Sequence, residues 1–282
     1  MHPANRGAPL SAATIVSNAN RRRWSPPFLV RLSLVVHVVA AVSLAVHPEA
    51  WAWPFGALVA NHLVLGAATL WPRGSWLGPN LVRLPATAAR RGEMCLSFDD
   101  GPDAVLTPLV LELLDRYQAK ASFFCIGEKA EALPGLVREI ARRGHSVENH
   151  SYRHRIAFAL FGVSRLRREV ETAQAVVTAI TGRPPLFFRA PAGFRSPLLD
   201  PVLASRALRY VSWTRRGFDA VSRNPQRILR LLTSGLAAGD LLLLHDNTAV
   251  VLDVLPSLLE QIAARGLRSV SLATACGEDP VA

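Results

Sequence analysis

The stretch Leu96-Ser97-Phe98-Asp99-Asp100-Gly101-Pro102-Asp103 joins an apolar run to a polar loop. The apolar run predicts a buried strand, and Asp99 and Asp100 then stand at its carboxyl end. In α/β folds the chemistry gathers at the carboxyl ends of parallel strands. An Asp-Asp-Gly-Pro turn taken alone is more often a solvated loop, because Asp, Gly and Pro all favour turns. The stretch therefore indicates an α/β fold, and a second motif decides whether it also marks a site.

The second motif is His150-Ser151-Tyr152-Arg153-His154, about fifty residues further on. Two imidazoles four residues apart on a helical turn point at one place. One Asp and two His form an open metal site that leaves positions for water and substrate. The alternative is a solvated helical pair of histidines, which the preceding Asp-Asp motif makes the weaker interpretation.

Strand-like and helix-like segments alternate after residue 93. The predicted strands are Met94–Phe98, Ala121–Cys125, Ser146–Glu148, Leu186–Arg189, Tyr210–Ser212, Asp240–His245 and Arg268–Ser271. Helical patterns between them include Thr107–Tyr117, Lys129–Arg143, Ser164–Thr181 and Pro225–Leu236. This alternation predicts an α/β fold with a parallel sheet and crossover helices. No Gly-rich phosphate-binding turn follows the first strand, which favours an incomplete barrel over a doubly wound sheet.

From about Glu93 to Cys276 the sequence resembles the NodB-homology polysaccharide deacetylases, also called carbohydrate esterase family 4. Five motifs carry the resemblance, and they occur in order: Phe-Asp-Asp-Gly-Pro at 98–102, His-Ser-x-x-His at 150–154, Arg-Ala-Pro-Ala-Gly at 189–193, Trp213 to Ala220, and Leu-Leu-His at 243–245. The resemblance implies a distorted (β/α)7-8 barrel. It also implies a hydrolase that removes acetyl groups from amino sugars.

The resemblance further assigns roles to the motif residues. Asp100, His150 and His154 correspond to the family's metal ligands, usually for Zn²⁺, with Co²⁺, Ni²⁺ or Mn²⁺ as alternatives. Asp99 corresponds to the general base, which takes a proton from a water whose acidity a metal raises. We expect the two neighbouring carboxylates to have separate roles.

Three further residues would support this chemistry. Arg189 would hold Asp99 through a charge-assisted pair, or would be an ordinary buried ion pair. His245 would donate a proton to the departing amine, since its pKa lies near neutral pH. Asp219 would orient and charge His245.

The sequence departs from the family pattern along the substrate groove. In the family the backbone N–H that stabilises the oxyanion belongs to an aromatic residue, whereas here the position is Ala192, which keeps the N–H and loses the ring. In the fourth motif, Arg216 replaces the first Asp and Ala220 replaces the second Trp. Leu243 matches the contact for the acetyl methyl group. We interpret these differences as a change of substrate.

The resulting hypothesis is metal-dependent removal of an acetyl group from an N-acetylated sugar or polysaccharide, including a lipid-linked sugar. O-deacetylation and deformylation are alternatives, because the same attack of water serves an ester or another small acyl amide. A catalytically silent, membrane-tethered sugar-binding protein is the alternative from another class. It conflicts with the presence of Asp99, the ligands and His245.

Composition divides the 282 residues into four parts. Residues 1–26 form a basic tail predicted to be disordered, residues 27–72 a two-helix membrane segment, residues 73–92 a linker, and residues 93–277 the deacetylase domain. The net charge of +11 could suggest nucleic acid, but no basic stripe interleaved with aromatic residues is present. We expect no nucleic acid as partner and expect a membrane instead.

The apolar stretches 28–46 and 51–71 have the length of membrane spans, and Trp51, Trp53 and Trp71 flank the second. A cleaved signal peptide is the alternative for the first stretch, and the second stretch argues against it. Arginines flank the pair on both sides, whereas residues 47–50 contain neither Lys nor Arg. The positive-inside rule then places both ends, and the catalytic domain, on the cytosolic side of the cytoplasmic membrane. An exported, membrane-anchored domain is the alternative location.

Overall fold

The computed structural model describes residues 23–278. Most of the predicted basic tail therefore lies outside the described residues. Eight strands form the sheet: β1 Glu93–Asp99, β2 Ala121–Cys125, β3 Ser146–Asn149, β4 Phe187–Phe188, β5 Arg209–Tyr210, β6 Arg215–Arg216, β7 Leu241–His245 and β8 Arg268–Ser269. Seven of them lie at predicted positions. The eighth, β6, is a pair of arginines with no apolar pattern, so the sequence gives no sign of it.

The strand order is β5-β4-β3-β2-β1-β7-β6, and β8 pairs with the first residues of β1. The paired strands run parallel. The sheet is therefore a barrel that is open between β5 and β6, in agreement with the predicted distorted barrel. Asp99 ends β1 and His245 ends β7, and the two are partners in the register. This pairing brings the first and last motifs together.

Helices cover the outside of the sheet. After the two N-terminal helices they are α3 Ala86–Arg90, α4 Leu106–Arg116, α5 Gly127–Ala132, α6 Pro134–Arg142, α7 Val163–Thr181, α8 Asp200–Ser205, α9 Pro225–Thr233, α10 Val250–Ala264 and α11 Leu272–Cys276. The predicted helix 129–143 is two helices, because proline starts a new helix more readily than it continues one. Pro134 stands at the first position of α6.

The strands separate two apolar layers. Met94, Leu96 and Phe98 on β1 pack outward against the helices. Cys95 packs inward, and Ser97 and Asp99 contact Arg189 in the barrel interior. Because side chains alternate along a strand, one face of β1 builds the main core and the other builds the site.

The segment 73–92 is not a free linker. It runs along the opening between β5 and β6, where Leu81 N–H donates to Tyr210 O and Ser212 N–H donates to Leu81 O. Leu84 and Ala88 are buried in one cluster with Val211, whereas Leu77 is buried against the two N-terminal helices. The segment therefore closes the barrel and is part of its fold, which corrects the linker prediction.

Two helices precede this segment, α1 Phe28–Val46 and α2 Ala52–Thr69. They are antiparallel neighbours, since Asn61 Nδ2 donates to Ser33 Oγ over 3.0 Å and the His37 and His62 rings meet edge to face. Within the described residues, only α1 is long and apolar enough to cross a membrane. The second predicted span is also a helix, but Asn61, His62 and Pro54 reduce its hydropathy. The structure thus supports one candidate span by length and composition, where the sequence predicted two.

Candidate active site

The carboxylates of Asp99 and Asp100 leave the end of β1 in different directions. Asp99 is the last residue of the strand, and Asp100 adopts a left-handed conformation with φ of 71°. Lys129 Nζ donates to the Asp100 carbonyl over 2.7 Å, which holds the turn from outside. A Cβ at Gly101 would lie 2.3 Å from the buried Asp246 carboxylate, so the turn requires glycine there. The local backbone thus gives each carboxylate its own surroundings.

The histidines reach Asp100 from the loop after β3, and not from the helical turn assumed above. Ser151 and His154 in this loop have positive φ values. His150 Nε2 lies 3.3 Å and His154 Nε2 lies 3.1 Å from Asp100 Oδ1. Ligand atoms bound to one tetrahedral zinc at about 2.1 Å lie about 3.4 Å apart. The three side chains therefore have the spacing of a metal ligand set.

The hydrogen bonds around the histidines leave the ligand atoms free. His150 Nδ1 is 2.9 Å from Arg189 O, a contact that places the proton on Nδ1 and the lone pair on Nε2. Asp100 Oδ1 is buried and has no hydrogen-bond partner among the described residues. A buried carboxylate oxygen without a donor is unfavourable unless a cation faces it. The site therefore fits a divalent metal ion.

Charge interactions within the cluster shift its protonation. Burial raises the pKa of Asp100, but the neighbouring His150 and His154 outweigh burial and leave this pKa well below its usual value. Burial and the nearby His150 lower the pKa of His154 to about 4. At neutral pH Asp100 is therefore ionised and His154 is neutral, which are the forms that bind metal.

Arg189 connects Asp99 to the barrel interior. Its side chain is fully buried, and Nη1 lies 2.5 Å from Asp99 Oδ1. The guanidinium also donates to Ser97 Oγ and to Ser212 O, and it stacks on the Phe124 ring. These contacts fix one carboxylate oxygen of Asp99. The other oxygen, Oδ2, lies 3.8 Å from His150 Nε2, on the side of the metal ligands.

His245 and Asp219 form a second buried pair. Asp219 accepts from the backbone N–H of His245 over 2.7 Å, and its other oxygen lies 3.0 Å from His245 Nδ1. Burial lowers the pKa of His245, but the bond to Asp219 and the charge of Asp219 outweigh burial, so this pKa is raised. The imidazole is thus oriented with Nε2 away from Asp219 and holds its proton more firmly.

The remaining predicted residues lie on the same rim. Ala192 is half-buried and has a left-handed conformation, with φ of 54°. Leu243 is buried on β7, two residues before His245, and therefore on the same inner face. The structure thus brings all nine predicted site residues to one end of the barrel.

Two contributors, Asp246 and Lys129, are not named by any motif. Asp246 is fully buried, accepts from Thr107 Oγ1 over 2.6 Å, and supports the turn at Gly101. Burial raises its pKa to about 7. Lys129 holds the Asp100 carbonyl from α5. Asp246 directly follows His245 in the sequence, and this position beside a motif histidine could have identified it as a candidate site residue.

Comparison with known proteins gives relatives with stated activities. Residues 87–211 match the family model described as polysaccharide deacetylase. A peptidoglycan-N-acetylglucosamine deacetylase of Bacillus cereus is 29% identical over 211 residues, which cover 71% of this chain and 75% of that protein. A chitooligosaccharide deacetylase of Sinorhizobium fredii is 31% identical over 58% of this chain and 76% of its own length.

A solved structure shows the same relationship. The family 4 carbohydrate esterase of Streptomyces lividans, in complex with acetate, is 31% identical and has a TM-score of 0.61. The match covers 65% of this chain and 95% of that one. The residues of this chain that lie outside the match outnumber those of α1 and α2, the two helices that precede the barrel.

Proposed function

Because the chain belongs to the polysaccharide deacetylase family, a group of hydrolases that act on N-acetylated amino sugars, we propose that its rim is a metal-dependent deacetylase site. The observation that carries the proposal is the convergence of Asp100, His150 and His154 around one buried, unpartnered carboxylate oxygen. Two nitrogen ligands and one oxygen ligand suit zinc, with cobalt, nickel or manganese as alternatives.

The residues around the ligands support this proposal. A bound divalent ion would make a water more acidic and would polarise the acetyl carbonyl. Asp99 would accept the proton of the attacking water at Oδ2, since Arg189 occupies Oδ1. The Ala192 N–H would stabilise the negative oxygen that forms on the carbonyl carbon, and Leu243 would contact the methyl group.

His245 would complete the reaction. Its Nδ1 faces Asp219, so Nε2 is the atom that can carry a proton to the leaving nitrogen. Asp219 outweighs burial and raises the pKa of His245, which favours the protonated imidazole that a general acid needs. Asp99 and His245 are register partners at the ends of neighbouring strands, which supports the proposal that base and acid act on the same bond.

The test is acyl release by the full chain, purified in detergent and loaded with zinc, measured as acetate from the acetylated substrates and as formate from the formylated one. The substrates are an N-acetylated chitooligosaccharide, an O-acetylated sugar and an N-formylated sugar, and His150→Ala is the variant. We expect release from the N-acetylated substrate, with a loss of at least about a hundredfold in the variant. Preference for the ester or the formamide would instead favour the alternative reactions. Stoichiometric zinc with no hydrolysis of any substrate would favour a silent sugar-binding protein.

The same site is proposed to act on a substrate held at the membrane, such as a lipid-linked sugar. The helix pair joins the barrel beside the Ala192 loop, where Arg195 N–H donates to Thr69 O at the end of α2. A Cβ at Gly193 would lie 3.3 Å from Pro72. The apolar helices therefore leave the barrel next to the site, and a membrane around them would lie close to the rim.

The pairing of α1 and α2 supports a cytosolic site. Helices of 19 and 18 residues lie side by side and antiparallel, so a membrane crossed by α1 would also contain α2. Both arginine-bearing flanks would then be cytosolic. A crossing by α1 alone would export the barrel. The test is a reporter that is active only when exported, fused after Ala282. An inactive reporter would agree with the cytosolic proposal, and an active reporter would contradict it.

A further inference from the structure

Arg216 faces the interior of the barrel. It is the register partner of Leu243, whereas Arg215 is the partner of Leu242. Partner residues on adjacent parallel strands face the same side of the sheet. Arg215 therefore points outward, where it binds the buried Asp240 over 2.6 Å. Arg216 points inward with Leu243, toward the site.

Two aromatic rings enclose the Arg216 guanidinium. Its central carbon lies 5.2 Å from the Trp213 ring centre and 5.0 Å from the Phe218 ring centre. Trp213 is buried and packs closely on Gly193, where a Cβ would lie 2.5 Å from its ring. Phe218 has a φ of 57°, an uncommon conformation for a residue with a side chain. The guanidinium thus lies between a ring that packs on Gly193 and a ring whose residue directly precedes Asp219.

The charge of Arg216 has no counterpart in the described part of the chain. No carboxylate there forms an ion pair with Arg216, and its buried Nε has no hydrogen-bond acceptor. Asp219 is three residues away, but both of its oxygens contact His245. Arg189, the other inward arginine, is committed to Asp99. Arg216 is therefore a preoriented cation beside the substrate groove that lacks an anion.

We propose that Arg216 forms an anion-binding subsite, which selects N-acetylated sugars that carry a carboxylate or phosphate group near the acetamido group. The planar guanidinium can bind either group through two parallel hydrogen bonds, and its stacking between rings reduces the freedom lost on binding. This inference rests on the proposed deacetylase function and adds the class of substrate. Neutral chitooligosaccharides lack the group that Arg216 would bind.

The test compares charged and neutral ligands in variants of the full chain in detergent. The probes are N-acetylglucosamine, N-acetylglucosamine 1-phosphate and N-acetylmuramic acid, and both Kd and kcat/KM for acetate release are measured. Arg216→Gln removes the cation, and Arg216→Lys keeps the charge but loses the planar guanidinium that can donate two parallel hydrogen bonds. Arg223→Gln is the matched control, because it removes an equal charge from an exposed position in the following loop.

The wild type is expected to bind at least one acidic probe more tightly than the neutral sugar. The Gln variant should reduce that preference about tenfold, the Lys variant should fall between, and the control should keep the wild-type ratio. Loss confined to the phosphate or the carboxylate probe identifies the source of the anion. An equal effect of Arg216→Gln on charged and neutral ligands, or an equal effect of Arg223→Gln, would overturn the subsite.

Failure of the deacetylase function is distinguishable from failure of the subsite. If the wild type binds the acidic probes with an Arg216-dependent preference and releases no acetate, the reaction is wrong and the subsite holds. If the wild type releases acetate with no preference for charged sugars, the reaction holds and the subsite is wrong.

Discussion

One side of the barrel rim carries residues that match the family's reaction motifs, and the other side departs from the family pattern where we propose that the sugar binds. Strands β1, β3 and β4 lead to Asp99, Asp100, His150 and Arg189, which are mutually in contact. Strand β6 and the loop after β4 present Arg216 and Ala192, where the family commonly has an acid and an aromatic residue. Asp99, His150 and Arg189 are buried and Asp100 is half-buried within this connected cluster, whereas Ala192 and Arg216 on the other side are both half-buried.

The difference shows where this fold tolerates change. Arg189 alone contacts Asp99, Ser97 and Ser212, so a substitution there would leave several buried polar groups unpaired. Ala192 and Arg216 face the groove, and a new side chain there meets the substrate rather than the core. We infer that the chain kept one reaction and altered the sugar it accepts, and the following experiments can break or sharpen that contrast.

The largest effect is expected on the reaction side. Asp99→Asn removes the proton acceptor and leaves the metal ligands in place, so kcat should fall by about 10² to 10⁴. Zinc content, measured by atomic absorption on the same samples, should stay at the wild-type value. Activity near the wild-type level would show that Asp99 is not the base, and the reaction side would lose its distinguishing feature.

A smaller effect is expected at the acid pair. His245 must be protonated to donate, and Asp219 raises its pKa, so activity should fall as the pH rises through that pKa. Asp219→Asn removes the raising charge. The alkaline limb of the kcat profile should therefore move to lower pH, with a loss of about tenfold at neutral pH. An unchanged alkaline limb would mean that a group other than His245 sets it.

The smallest effect is expected in the groove. Ala192→Tyr restores the aromatic side chain of the family pattern and keeps the backbone N–H and the same left-handed conformation. Stacking on a sugar should lower KM for a chitooligosaccharide about fivefold, with kcat little changed. Ala192→Ser is the matched control, since it adds a side chain without a ring. A fall in kcat with the Tyr variant would show that residue 192 belongs to the reaction side.

The sequence predicted the reaction side better than the groove for a physical reason. A metal site restricts its ligands to a few residue types, so the order of Asp100, His150 and His154 along the chain was enough to predict that they would meet. Strand β6 is two arginines whose alternation depends on pairing with β7, and no local pattern reveals it. Lys129 and Asp246 act through the carbonyl of Asp100 and the space at Gly101, which are properties of the folded turn.

The segment before the barrel shows the same limit. Its Pro and Arg content predicted a linker, yet Leu81 and Leu84 pack with Val211 of the barrel and Leu77 packs against the N-terminal helices. Leucines at this spacing are ambiguous until the opening that they fill is known. The apolar helices were found correctly by composition, but the partnering of Asn61 with Ser33 appears only in the packed pair.

Zinc titration of the metal-free chain tests the central claim most directly. Chelator-treated protein in detergent is titrated with zinc while acetate release from an N-acetylated sugar and bound zinc are measured together. We predict negligible acetate release without metal and a rise in release that reaches its plateau at one bound zinc per chain. His154→Ala should reach neither that zinc content nor that rate of release. Full acetate release by metal-free protein, or an undiminished plateau in His154→Ala, would contradict a metal centre built from Asp100, His150 and His154.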